Sequence, residues 1–181
     1  MAAPLRLRGS MNYLDASPSG LSKAQVHEVA ESFASQFGYT PGGDLTKLVE
    51  KLGGTVQIKD TLLTDPERSG SLYVEAPDEF KIILPAHTGR SRDRFTIAHE
   101  LGHYVLHYLW DPTRVGQRMM ALRRGSDRLE WEANWFAAAF LMPSKAFKQA
   151  YKADANIAGL AARFDVSAQA AELRAKGLGL L

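Results

Sequence analysis

"RFTIAHELGHYVLH", residues 94–107, places three histidines within nine positions and a glutamate directly after the first. Four residues advance an α-helix by about 400°, an offset of about 40°, so His99 and His103 stand one above the other on a single face where both imidazoles reach one ion. Glu100 is turned about 100° from His99, which takes it out of that coordination direction but leaves its carboxylate close enough to act as base toward a water at the same ion. Phe95, Ala98, Leu101, Val105, Leu106 and Leu109 recur at helical spacing, with Ser91 or Asp93 as candidate caps, so the stretch is predicted to be helical. Gly102 inside this helix costs about 1 kcal/mol relative to alanine and so points to close approach of another backbone.

A catalytic zinc takes three protein ligands and keeps a fourth position for water, and two histidines plus a carboxylate are a common set. The acid is expected from the next helix, "DRLEWEANWFAAAFLM", residues 127–142, where Glu130 and Glu132 compete. Glu130 shares its face with Ala133 and Asn134, whereas Glu132 lines up with Trp135 and Phe136, so Glu130 is favoured. Asn134 is then a candidate to hold a ligand's second ring nitrogen from outside the coordination sphere. His107 lies one turn past His103, but three histidines over two turns span about 12 Å, too far for one zinc, and it reads as a hydrogen-bonding core residue. His27 and His87 show no partner pattern.

With no cysteine in 181 residues, disulfides, thiolate metal sites and a cysteine nucleophile are excluded, which leaves histidine and carboxylate as ligands. The 22 Lys plus Arg against 20 Asp plus Glu give a net charge of +2, too small for nucleic-acid binding by bulk electrostatics. No apolar run approaches the roughly 18 residues of a membrane span, and the N-terminus lacks the apolar segment of a secretory signal, so a cytoplasmic location is expected. "RGSM", residues 8–11, looks like a cloning junction, with Met11 as a candidate native start.

Val26, Val29, Ala30, Phe33 and Phe37 mark an amphipathic helix stopped at Gly38, and Asp44 can cap a short helix through Leu48 and Val49. "TVQIK", "SLYVEA" and "FKIILP" read as short strands, and "FKIILP" is a candidate exposed edge against which an extended substrate can pair. Residues 111–126, which hold an isolated "MMAL", read as a long connection with one helical turn. "IAGLAARFD" and "SAQAAELRAKG" read as closing helices. The predicted fold class is α+β: a small, mainly antiparallel sheet packed on a metal-binding helix pair, with a helical N-terminus and a helical C-terminal segment.

Through "RFTIAHELGHYVLH" and "EWEANWFAAAFLMP" the chain resembles the ImmA/IrrE family of zinc metallo-endopeptidases, and the likeness runs from about residue 21 to the end. The resemblance implies His99, His103 and Glu130 as zinc ligands and Glu100 as catalytic base. It implies an N-terminal extension over 1–20, a zinc metallopeptidase core over 21–143 and a helical segment over 144–181 packed on that core. It further implies one Zn2+, with another divalent ion such as Mn2+ as substitute, and cleavage of helix-turn-helix repressors as the biological role. Two alternatives follow from the residues themselves. One is DNA binding through "LAARFDVSAQAAELR", although residues 157–181 carry only three basic side chains against two acidic ones. The other is a zinc site without turnover, against which Glu100 beside an open coordination position argues. Tyr104, Tyr108 and Arg94 lie near in sequence as oxyanion candidates, with packing roles favoured.

Overall fold

The computed structural model describes residues 13–59, 71–86, 88–122 and 127–181; His87 and the "RGSM" stretch lie outside them. A two-residue strand β1 (Leu14–Asp15) precedes helices α1 (Lys23–Gln36) and α2 (Leu45–Lys51), then strands β2 (Gly54–Lys59), β3 (Ser71–Ala76) and β4 (Glu79–Pro85). Helix α3 (Arg90–His103) continues as a wider, π-helical segment over Tyr104–Leu109. Strand β5 (Met119–Leu122) and helices α4 (Arg128–Leu141), α5 (Ser144–Ala153), α6 (Ile157–Phe164) and α7 (Ala168–Gly177) complete the chain. The α+β class expected from the sequence is what forms. Among the described residues no helix is long and apolar enough to cross a membrane.

Local chemistry fixes most boundaries. Ser22 and Gln25 cap α1 reciprocally, each side chain accepting from the other's backbone N–H, and Asp44 caps α2 by accepting from Lys47 N–H. Helix α3 departs from expectation: it is capped by the Gly89 backbone and begins at Arg90, while Asp93 accepts a hydrogen bond from the Thr88 hydroxyl.

The five strands order as β1-β5-β3-β4-β2. The sheet is mixed, because β3 runs antiparallel to both β4 and β5 while the outer pairs β1–β5 and β2–β4 are parallel. Parallel pairing of β2 with β4 puts β4 between two strands that are consecutive in sequence, β2 and β3, a long-range register that periodicity does not reveal. It also removes "FKIILP" as a substrate edge, since β4 is hydrogen-bonded on both sides, to β2 and β3. Within the expected long connection "MMAL" forms strand β5: Met119 and Ala121 are buried on the same face as Val74 and Leu72, with which they pair. Four apolar residues are too few for period two to be told from period 3.6.

One face of the sheet, carrying Leu72, Val74, Phe80, Ile82 and Leu84, faces the core against α3. Helix α4 lies across α3 and α1 with Phe136 and Phe140 fully buried, their rings stacked on each other at 5.7 Å and tilted against Phe33. The two helices come closest at Gly102, where an added Cβ would meet the Ala133 backbone at 3.1–3.2 Å and Phe136 Cβ at 3.2 Å. Alanine there gains about 1 kcal/mol of helix propensity while crowding α4, but a branched side chain has no room. Gly102→Val is expected to lower stability by about 1–3 kcal/mol through overpacking, read as a lower midpoint in urea denaturation.

Candidate metal centre

Helix α3 presents His99 and His103 to helix α4, and α4 answers with Glu130 in its first turn. Asp127 caps α4 by accepting from Glu130 N–H at 3.2 Å, which locks the backbone bearing that carboxylate. His99, His103 and Glu130 are all buried, and each offers one ligand atom within 4.8 Å of the other two. The separations are 3.0 Å between the two Nε2 atoms, 3.3 Å from His99 Nε2 to Glu130 Oε2 and 3.4 Å from His103 Nε2 to Glu130 Oε1. Donors at tetrahedral corners about 2.0–2.2 Å from an ion stand about 3.3–3.6 Å apart, and these separations, which involve both Glu130 oxygens, lie within a few tenths of an ångström of that edge.

The protonation pattern fits as well. Asn134 Oδ1 stands 3.0 Å from His99 Nδ1 and can only accept, so the His99 proton sits on Nδ1 and its Nε2 turns a lone pair toward the cluster. Asn134 lies four residues beyond Glu130, and the same face of α4 thus supplies both a ligand and the support of another ligand. Burial pushes His103 down to about 3, outweighing the neighbouring Glu130, and keeps the ring neutral, the form that binds metal. Two imidazoles and a carboxylate converging in a buried space make a donor set suited to a divalent cation.

Glu100, buried beside His99, is the carboxylate nearest the trio in sequence. Glu132 lies elsewhere: its Oε2 faces His107 Nε2 at 3.1 Å on the far side of His103 from the cluster. Sequence periodicity gave no sign of what Glu132 contacts, because Ser19 and Gly20, which also bind it, are over a hundred positions away. The remaining candidates are occupied structurally. Arg94 donates to Gly43 O, Tyr39 Oη and Asp165 O, Tyr104 Oη donates to Pro77 O, and Tyr108 Oη accepts from Gly116 N. His27, half-buried and near Arg174, is lowered to about 4, chiefly by burial, and stays neutral.

A mixed sheet thus backs a His-Glu-x-x-His helix that a second, acid-bearing helix crosses. A family model, the IrrE N-terminal-like domain (Peptidase_M78), matches residues 55–176, and the chain belongs to that family. Among solved structures, a Mycobacterium tuberculosis transcriptional regulator shares the fold with a TM-score of 0.55 at 22% identity. That match covers 82% of this chain and 45% of the regulator, so the chain spans under half of that protein's length. A search of the curated proteins finds no match.

Competition for zinc against a chromophoric chelator should rank the ligands. Asn134→Leu is expected to weaken zinc binding by about 10–100-fold, as loss of an outer hydrogen-bond partner does, and Glu130→Gln by more than that. Wild-type affinity in Glu130→Gln would remove this residue from the ligand set.

Proposed function

We propose that the protein is a cytoplasmic zinc-dependent endopeptidase that cleaves a helix-turn-helix transcriptional repressor and so relieves repression. The observation that carries this reading is the convergence of His99, His103 and Glu130 from two helices, with Glu100 next along the chain from the first ligand. Membership of a peptidase family supports it, and the transcriptional setting agrees with the name borne by the regulator that shares the fold. The imidazole-rich donor set suits zinc, with manganese as a substitute.

In this reading residues 21–143 form the catalytic core. The segment over 144–181 braces it, with Ser144 N–H donating to Glu31 Oε1 at 2.7 Å and Arg174 Nε donating to Met142 O at 2.9 Å. His99, His103 and Glu130 hold the ion, which when bound supplies Lewis acidity toward water and toward the scissile carbonyl. Glu100 accepts the proton of the attacking water on its carboxylate and returns it to the departing amine. Burial of Glu100 keeps bulk water from competing for that proton.

Direct DNA binding by α6 and α7 receives little support. Of the basic side chains in the closing segment, Arg174 is buried against Met142 O and Glu31, and Lys176 pairs with Glu172 at 2.6 Å. Asp165, which closes α6 in a left-handed conformation (φ 52°), is held by Arg90 at 2.7 Å. The turn of the would-be helix-turn-helix is thereby bound to α3.

Glu100→Gln is expected to leave zinc bound and to cut cleavage by about 10²–10⁴-fold or more, whereas His103→Ala loses both. Mass spectrometry of a helix-turn-helix repressor encoded beside the gene, incubated with protein and with or without chelator, reads the result. Cleavage at the wild-type rate by Glu100→Gln rejects the base assignment, and cleavage that chelator leaves untouched rejects the metal.

A further inference from the structure

Resting on the reading of His103 as a metal ligand, we propose that His107 and Glu132 are positioning residues for that centre. With Ser19 and Gly20 they form a hydrogen-bond relay, buried at His107 and Glu132, that fixes the proton of His103 on Nδ1 and aims its Nε2 lone pair at His99 and Glu130.

The proton order follows from the outer end inward. Glu132 Oε2 accepts from Ser19 N–H and from Ser19 Oγ–H, both at 2.7 Å. Its Oε1 accepts from Gly20 N–H at 3.2 Å and from Arg128 Nε at 2.8 Å. A carboxylate surrounded by four donors is ionised and only accepts. The nitrogen facing it at 3.1 Å, His107 Nε2, must therefore carry the hydrogen. A neutral imidazole has one N–H, so His107 Nδ1 is an acceptor. Across 2.9 Å from it stands His103 Nδ1, which must then be the donor. That leaves the lone pair of His103 on Nε2, the atom 3.0 Å from His99 Nε2.

Three features of the fold serve this chain of bonds. The side chains of His107 and Glu132 are fully buried, so solvent offers no competing partner. The π-helical segment that carries His107, closed by Trp110 N donating to Val105 O at 3.0 Å, widens the turn beside the cluster, and such widened turns occur mostly where a side chain must be re-aimed. Ser19 is anchored in turn, because the preceding β1 is tied to β5 by Leu14 N donating to Arg118 O and Ala16 N to Met120 O. The relay thus links residues 14–20 to the ligand cluster through four side chains or backbone groups that touch no ion.

The test uses the zinc-loaded full chain. Long-range 1H–15N correlation of the imidazoles should show His107 as the Nε2–H tautomer and His103 protonated on Nδ1; a His107 proton on Nδ1 overturns the relay without any mutation. Zinc affinity, measured by chelator competition, should fall about 10–100-fold in His107→Phe and in Glu132→Gln. His107→Gln, whose amide can accept from His103 and donate to Glu132, should recover most of the loss, a rescue that a merely space-filling role would not produce. Unchanged affinity in His107→Phe overturns the relay and leaves the ligand set standing. Unchanged affinity in His103→Ala instead overturns the ligand set, and the proposed peptidase with it.

Discussion

The approach of α4 to α3 at Gly102 is the constraint on which the remainder of the structure depends. Two helices carrying ordinary side chains at their crossing stand about 8–10 Å apart, and the close contact of a glycine with the Ala133 backbone lets them sit nearer. Glu130 lies three residues before Ala133 and Asn134 one after it. Any increase in helix separation would therefore withdraw a carboxylate and an amide together from the two histidines. Glycine is unfavourable in a helix interior, so stability is given up locally for the placement of side chains at the centre.

Around that crossing the hydrophobic core and the polar cluster stabilise each other in different ways. Phe33, Phe136 and Phe140 supply the non-directional burial that brings α1 and α4 to α3. The hydrogen bonds that His99 donates to Asn134 and His107 to Glu132 then set ring orientation, which burial alone cannot do. Leaving any of these buried groups without its partner would cost more than a typical surface bond contributes, so the polar residues define one arrangement where apolar ones would allow several.

The sheet's role is mainly to present α3. Its mixed pairing buries β3, β4 and β5 inside the layer and leaves β1 and β2 as edges, with Ile58 on β2 largely exposed at 71%. The closing helices brace the opposite end, where Arg90 and Arg94 of α3 hold Asp165 and Arg174 caps the end of α4 through Met142 O. Both ends of the ligand-bearing helix pair are thus fixed by segments distant in sequence.

The sequence by itself determined the α+β class, both long helices, the stacking of His99 over His103 and the placement of Glu130 and Asn134 on one face of α4. Each is a consequence of helical periodicity or capping within about four residues, and the backbone geometry of a helix transmits such spacing faithfully. Only the tertiary structure decided that "MMAL" is a strand, that "FKIILP" lies inside the sheet, that Gly89 caps α3, and that Ser19 and Gly20 meet Glu132. Strand pairing and contacts between distant segments depend on which of many compatible partners completes a buried surface, and no local pattern of side chains encodes that choice.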